Sequence, residues 1–156
     1  MTQDIHSLQP DEFQTRVRSF EHWFGAVEGY LGGVHNGHVE IPEAELSSEQ
    51  RERLLTTLSS YCVGESAALE GASGLLRLAP NTSTRIFLAT QVVDEARHLE
   101  VLLARMRELG VADPEAEMER RAAPGIVRFK QRLLELVDAG EWTSALFAQN
   151  VMLESM

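Results

Sequence analysis

One cysteine in 156 residues, Cys62, rules out an internal disulfide framework and any zinc site built on several thiolates. Basic side chains are scarce as well. Fourteen lysines and arginines stand against 24 aspartates and glutamates, for a net charge of −10. Phosphate backbones are held by basic surfaces, so no nucleic-acid partner is expected. The same deficit excludes a polybasic attachment to anionic lipid. No apolar run approaches the roughly 18 residues that a membrane-spanning helix needs, so no membrane partner is expected either. The N-terminal stretch MTQDIHSLQPDEF lacks the basic and apolar segments of a secretory signal. A cytoplasmic protein of one-domain length is the expectation. The chain stops at Met156, directly after a strongly helical pattern.

Strand signals are missing too. Period-two alternation is nearly absent, and apolar residues recur at spacings of three and four, which predicts an all-α fold. A first helix is expected over 11–30, with Phe13, Val17, Phe20, Phe24 and Val27 as its stripe, and it dissolves in the glycine-rich stretch 29–37. Ser47-Ser48-Glu49-Gln50 reads as a capping box opening a second helix that runs to Leu78, where Pro80-Asn81 ends it. A third helix spans 83–109, with Gly110 as its stop. Asp113-Pro114 opens a short helix to 123, Pro124 another to 139, and the last begins near Glu141. The chain thus divides into an N-terminal helix and loop (1–46), an antiparallel metal-binding pair (47–110), and connecting helices leading to the start of a third metal-binding helix (111–156).

The chemistry sits on the middle pair. Glu65 lies in the stripe Leu54, Leu58, Tyr61, Cys62, Leu69, Ala72, Leu76. An ionised carboxylate in such a stripe must be protonated, paired or metal-bound, because burying it bare costs several kcal/mol. Glu95 and His98 lie three apart in the stripe Phe87, Leu88, Gln91, Leu102, Met106, Leu109, so both project from one side. Glu-x-x-His alone fits a surface ion pair or a hydrogen-bonded core histidine equally well. A second glutamate on an antiparallel neighbour makes it half of a carboxylate-bridged dinuclear site. Such sites take one Glu from each of two helices and Glu-x-x-His from each of two others. Carboxylates are hard anionic donors that bridge two irons, and imidazoles leave coordination positions open for oxygen.

The stretch Gly64-Glu65-Ser66-Ala67-Ala68-Leu69-Glu70-Gly71, followed by Val93-Asp94-Glu95-Ala96-Arg97-His98, resembles the ferritin-like di-iron carboxylate proteins. Within them it looks most like the branch of bacterial multicomponent monooxygenases, ribonucleotide reductase small subunits and related oxidases. Asp-Glu-x-Arg-His is that branch's most specific signature. The 30-residue gap from Glu65 to Glu95 also suits it. The resemblance implies a ferritin-like helical bundle, incomplete within this chain and covering its N-terminal half. It implies Glu65 as a terminal iron ligand, Glu95 as a bridging carboxylate and His98 as an imidazole ligand of the same iron. Asp94 would accept a hydrogen bond from a ligand histidine, and Arg97 would pair with carboxylates around the site. Glu154, 59 residues after Glu95, resembles the third-helix glutamate of the family, although a solvated carboxylate reads equally well.

Departures narrow the reading. No second Glu-x-x-His follows, so one chain does not supply a full ligand set. Leu102 stands four after His98, where radical-generating reductase subunits carry tyrosine, and Gln149 stands where ligand-binding oxidases carry a crosslinking tyrosine. The remaining candidates read as ordinary structure. His22, His35 and His38 are surface or cap residues, Trp23 and Trp142 pack, Cys62 is a buried small side chain, Glu70 is a supporting or exposed carboxylate, and Glu100 faces solvent.

Three functions fit. The first is a non-haem di-iron oxygenase or oxidase, or part of one, acting with O₂ on a small organic substrate. Its second Glu-x-x-His comes from further sequence, a second copy or a second chain, and a redox partner supplies electrons. The second is a homodimeric ferritin-like iron-oxidising or iron-binding protein. The third is a non-catalytic helical subunit. Iron is the expected metal of the first two, with manganese as the alternative.

Overall fold

The computed structural model describes Gln9, Asp11, Glu12 and residues 46–153. The expected first helix, with His22, Trp23, His35 and His38, lies outside the described residues except for Asp11 and Glu12. Glu154 also lies outside them. Among the described residues the secondary structure is helical throughout. It comprises α1 (Ser48–Leu78), α2 (Thr82–Glu108), α3 (Pro114–Arg121), α4 (Pro124–Asp138) and α5 (Trp142–Phe147), the last running into a π-helical turn (Ala148–Met152).

The boundaries follow from capping chemistry. Gln50 N–H donates to Ser47 Oγ at 3.2 Å and Ser47 N–H donates to Gln50 Oε1 at 2.9 Å, which completes the capping box on α1. Asn81 Oδ1 caps α2 by accepting from Thr84 N–H at 2.9 Å. The link between α1 and α2 is so short that the chain must reverse, and the two long helices pack antiparallel. Gly110, at φ +82°, takes the left-handed conformation that stops α2. The Arg51 guanidinium donates to the Leu109 carbonyl nearby and ties the end of α2 to the start of α1. Asp113 caps α3 with proline at its first position, and Pro124 opens α4.

α1 is the central element, in contact with all the others. Its middle is rich in small residues, and Ser66, Ala67, Ala68, Gly71 and Ala72 are all buried. Small side chains let neighbours approach on several sides at once. Two apolar clusters result. One gathers Leu55, Cys62, Leu103, Met106 and Leu109 between the start of α1 and the end of α2. The other gathers Ala67, Leu75, Leu88, Leu133, Val137 and Ala145. Truncating Leu75 or Leu133, both at most 1% exposed, removes a whole side chain from close packing, a change that costs about 2–5 kcal/mol. Glu65 and Glu95 lie along the helix pair between these two clusters.

Candidate metal centre

Packing on either side fixes the register that brings the polar residues together. Cys62 Sγ rests 3.6 Å from Met106 Sδ below the site, and Leu88 is fully buried above it. Between them α1 presents Glu65, and α2 presents Glu95 and, one turn on, His98. Ligand-capable atoms of the three all lie within 4.8 Å of one another. His98 Nδ1 is 3.3 Å from Glu65 Oε2 and 3.4 Å from Glu95 Oε2. Glu95 is only 6% exposed, whereas the His98 side chain is 49% exposed.

One Nδ1–H cannot satisfy two carboxylates, since an imidazole nitrogen carries a single proton. The cost falls on Glu95. Burial pushes its pKa up, and the hydrogen bond and negative charge of Glu65 push the same way. Gln91 and His98 only partly offset this. Glu95 is thereby shifted towards its protonated form. The donor set suits a divalent first-row metal, with hard carboxylate oxygens and one imidazole. Ligands on opposite sides of an ion held at 2.0–2.2 Å stand roughly 4 Å apart, close to the spread of these atoms.

The same three side chains line one wall of an open cavity of about 690 Å³, with Tyr61, Ala68, Ile126 and Leu153 among its other walls. Ala123 N–H donates to Ser60 Oγ at 3.0 Å, which fixes the α3–α4 junction, and so Ile126, over α1.

Of the other expected site residues, Asp94 is paired with Arg97 at 3.1 Å on its own helix. Leu102 is half-buried, and Glu100 is exposed. Trp142 packs against the upper apolar cluster. Cys62 is fully buried, and burial followed by the Glu65 charge pushes its thiol up to about 11. Glu70 is engaged apart from Glu65, Glu95 and His98. Its carboxylate lies 2.9 Å from Lys130 Nζ and accepts from Ser66 Oγ at 3.0 Å, while Lys130 also reaches Glu119 at 3.2 Å. Partial burial opposes ionisation of Glu70, but the Lys130 and Ser66 hydrogen bonds and the Lys130 charge outweigh it and hold its pKa below the ordinary range.

Sequence reasoning placed Gln91 on the face of Glu95 and His98 but gave it no role, and it gave none to Asn150. Gln91 Nε2 donates to Glu95 Oε1 at 3.3 Å and to Asn150 Oδ1 at 3.0 Å. The position four before Glu95 on the same face was the signal for Gln91. Nothing in the sequence marks the π turn that carries Asn150.

No curated protein and no solved structure matches the chain significantly. The family model described as methane/phenol/alkene hydroxylase matches residues 36–156. That stretch contains both Glu65 and the intact Asp94-Glu95-Ala96-Arg97-His98 signature, within an all-α fold of the ferritin-like kind. The chain belongs to the methane/phenol/alkene hydroxylase family.

Proposed function

We propose that the chain carries Glu65, Glu95 and His98 as ligands of a dinuclear non-haem iron site in an O₂-dependent hydroxylase of small organic substrates. The observation that carries this reading is the convergence of the three donors within 4.8 Å at the wall of a cavity of about 690 Å³. Glu65 would serve as a terminal ligand, Glu95 as the bridging carboxylate and His98 as the neutral nitrogen ligand. A reduced iron pair supplies electrons and open coordination positions for the reduction of O₂. Tyr61, Ala68 and Ile126 would hold an organic molecule beside the ligands and keep water from it. A full site of this type uses four carboxylates and two imidazoles. Three donors are therefore to be completed from a partner chain or from residues outside those described, with Glu154 as one candidate. Asp94, held by Arg97, keeps an oxygen for the N–H of a further ligand imidazole. Manganese would satisfy the same donors. Among the described residues no helix is long and apolar enough to cross a membrane.

The test is Mössbauer spectroscopy of the protein loaded anaerobically with ⁵⁷Fe²⁺, alone and with its partner, then exposed to O₂. A coupled diferric signal is expected, and Glu95→Ala should abolish it. Normal iron loading of Glu95→Ala sinks the reading. A second arrangement is supported by the half-exposed His98. Two copies of Glu65, Glu95 and His98 supply the same ligand list, giving a homodimeric iron-oxidising protein. Native mass with and without Fe²⁺ separates the two. A dimer formed only with iron supports the second, and a monomer that binds iron only with another chain supports the first.

A further inference from the structure

The π turn at the end of α5 places two consecutive amides against two different helices. Gln149 is fully buried, and its Nε2 donates to the Ala68 carbonyl of α1 at 3.1 Å. It occupies the notch left by Gly71, where a Cβ would run into the Gln149 amide oxygen and lie 3.1 Å from Leu133. Asn150 faces α2 instead. Its Nδ2 donates to the Leu146 carbonyl at 3.4 Å, which leaves Oδ1 to accept from Gln91 Nε2 at 3.0 Å. Gln91 Nε2 then donates to Glu95 Oε1 at 3.3 Å. Each amide orientation is set by its neighbour. Both partners of Gln91 are acceptors, so its NH₂ must face them and its buried Oε1 is left without a partner. A buried acceptor left unsatisfied costs about 1–3 kcal/mol, and Gln91 Oε1 and Gln149 Oε1 both stand in that position. π turns of this kind are frequent at functional sites.

We infer that Asn150 and Gln91 are positioning residues that hold the Glu95 carboxylate in its metal-binding orientation, through the chain Asn150 Oδ1, Gln91 Nε2, Glu95 Oε1. Gln149, anchored on α1, fixes the turn from which Asn150 reaches. The inference rests on the proposed metal-ligand role of Glu95.

The experiment is an anaerobic calorimetric titration with Co²⁺, together with the visible absorption of the bound ion, on the whole chain. Gln91→Met removes the donor to Glu95 with little change of volume, and Asn150→Leu removes the acceptor that orients it. Outer hydrogen bonds of this kind change metal affinity by about 10–100-fold. Gln91→Met should weaken Co²⁺ about tenfold and alter the visible spectrum, and Asn150→Leu should weaken it less. The double variant should match Gln91→Met alone, because Asn150 acts through Gln91. Asn150→Asp, which keeps the acceptor oxygen, should bind within threefold of the unaltered protein. Unchanged affinity and spectrum in Gln91→Met and Asn150→Leu overturn the inference while leaving the metal site standing. Equal losses in Asn150→Asp and Asn150→Leu overturn it as well. An unaltered protein that binds no Co²⁺ either alone or with the chain that completes the site overturns both the inference and the reading beneath it. If Gln91→Met does not fold, the contrast between Asn150→Leu and Asn150→Asp decides.

Discussion

Two acidic clusters lie five residues apart on α1, and they are opposites. At Glu70 the charge is answered. Lys130 lies within 3.2 Å of both Glu70 and Glu119, Ser66 adds a hydrogen bond, and the Glu70 pKa falls. At Glu65 the charge is unanswered. Two carboxylates face one half-exposed imidazole, and the more buried of them, Glu95, is pushed towards its protonated form by burial and by Glu65. Both clusters use the same residue types on the same scaffold. The first is a finished ion-pair network and contributes to folding. The second is a cluster that, in the function proposed above, a cation would complete.

The largest way to break this comparison is to remove the lysine. Lys130→Met, at a side chain 12% exposed, should lower stability by about 1–3 kcal/mol, read by urea denaturation, with Co²⁺ affinity unchanged. A loss of metal binding in that variant would mean that the clusters are not independent. The opposite sign is expected at the other site. Glu95→Gln removes the contest for one proton and should stabilise the metal-free protein by about 1 kcal/mol while weakening metal binding. A destabilised metal-free Glu95→Gln would show that the Glu65–Glu95–His98 group is already balanced without an ion.

The pH dependence sharpens the contrast. The raised pKa of Glu95 means that its contribution is fully present below the ordinary carboxylate value and is lost as pH rises through the raised one. The lowered pKa of Glu70 means that its contribution is present above the ordinary value and is lost as pH falls through the lowered one. Melting temperatures across pH 3–8 should therefore show the benefit of Glu95→Gln growing as pH rises. The cost of Glu70→Gln should vanish towards acid. Parallel curves for the two variants would remove the distinction. The smallest effect concerns Cys62. With its thiol pushed up to about 11 and no exposure, it should resist iodoacetamide at pH 8 in the folded protein and react in urea.

The scaffold was legible in the sequence because its signals are local. The Ser47–Gln50 box, the Asn81 break, Gly110, Asp113-Pro114 and Pro124 each act within one turn, and the helix ends fall within a residue or two of where those residues stand. Glu65, Glu95 and His98 were legible because one helical face and one antiparallel pairing suffice to bring them together. The supporting contacts were not. Lys130 meets Glu70 from 60 residues away, and Asn150 meets Gln91 from 59 away. Such partners depend on how α4 and α5 dock, which helical periodicity does not encode. The π turn was invisible for a related reason. Residues 141–153 read as one continuous helix, and the turn carries Gln149, which meets Ala68 and Gly71 from about 80 residues away in the chain, a contact that periodicity does not encode.

The central claim is that the Glu65–Glu95–His98 cluster is a cation site, whereas the Glu70–Lys130 cluster is not. Anaerobic calorimetric titration with Fe²⁺, repeated in buffers of different ionisation enthalpy, tests it directly. The unaltered protein and Glu70→Ala should bind with equal affinity and release protons on binding. Glu95→Ala should bind at least about 100-fold more weakly, since loss of a ligand should exceed the 10–100-fold effect of losing its supporting hydrogen bonds. Equal Fe²⁺ binding by Glu95→Ala and the unaltered protein, or none by either even with the partner chain present, would contradict the account.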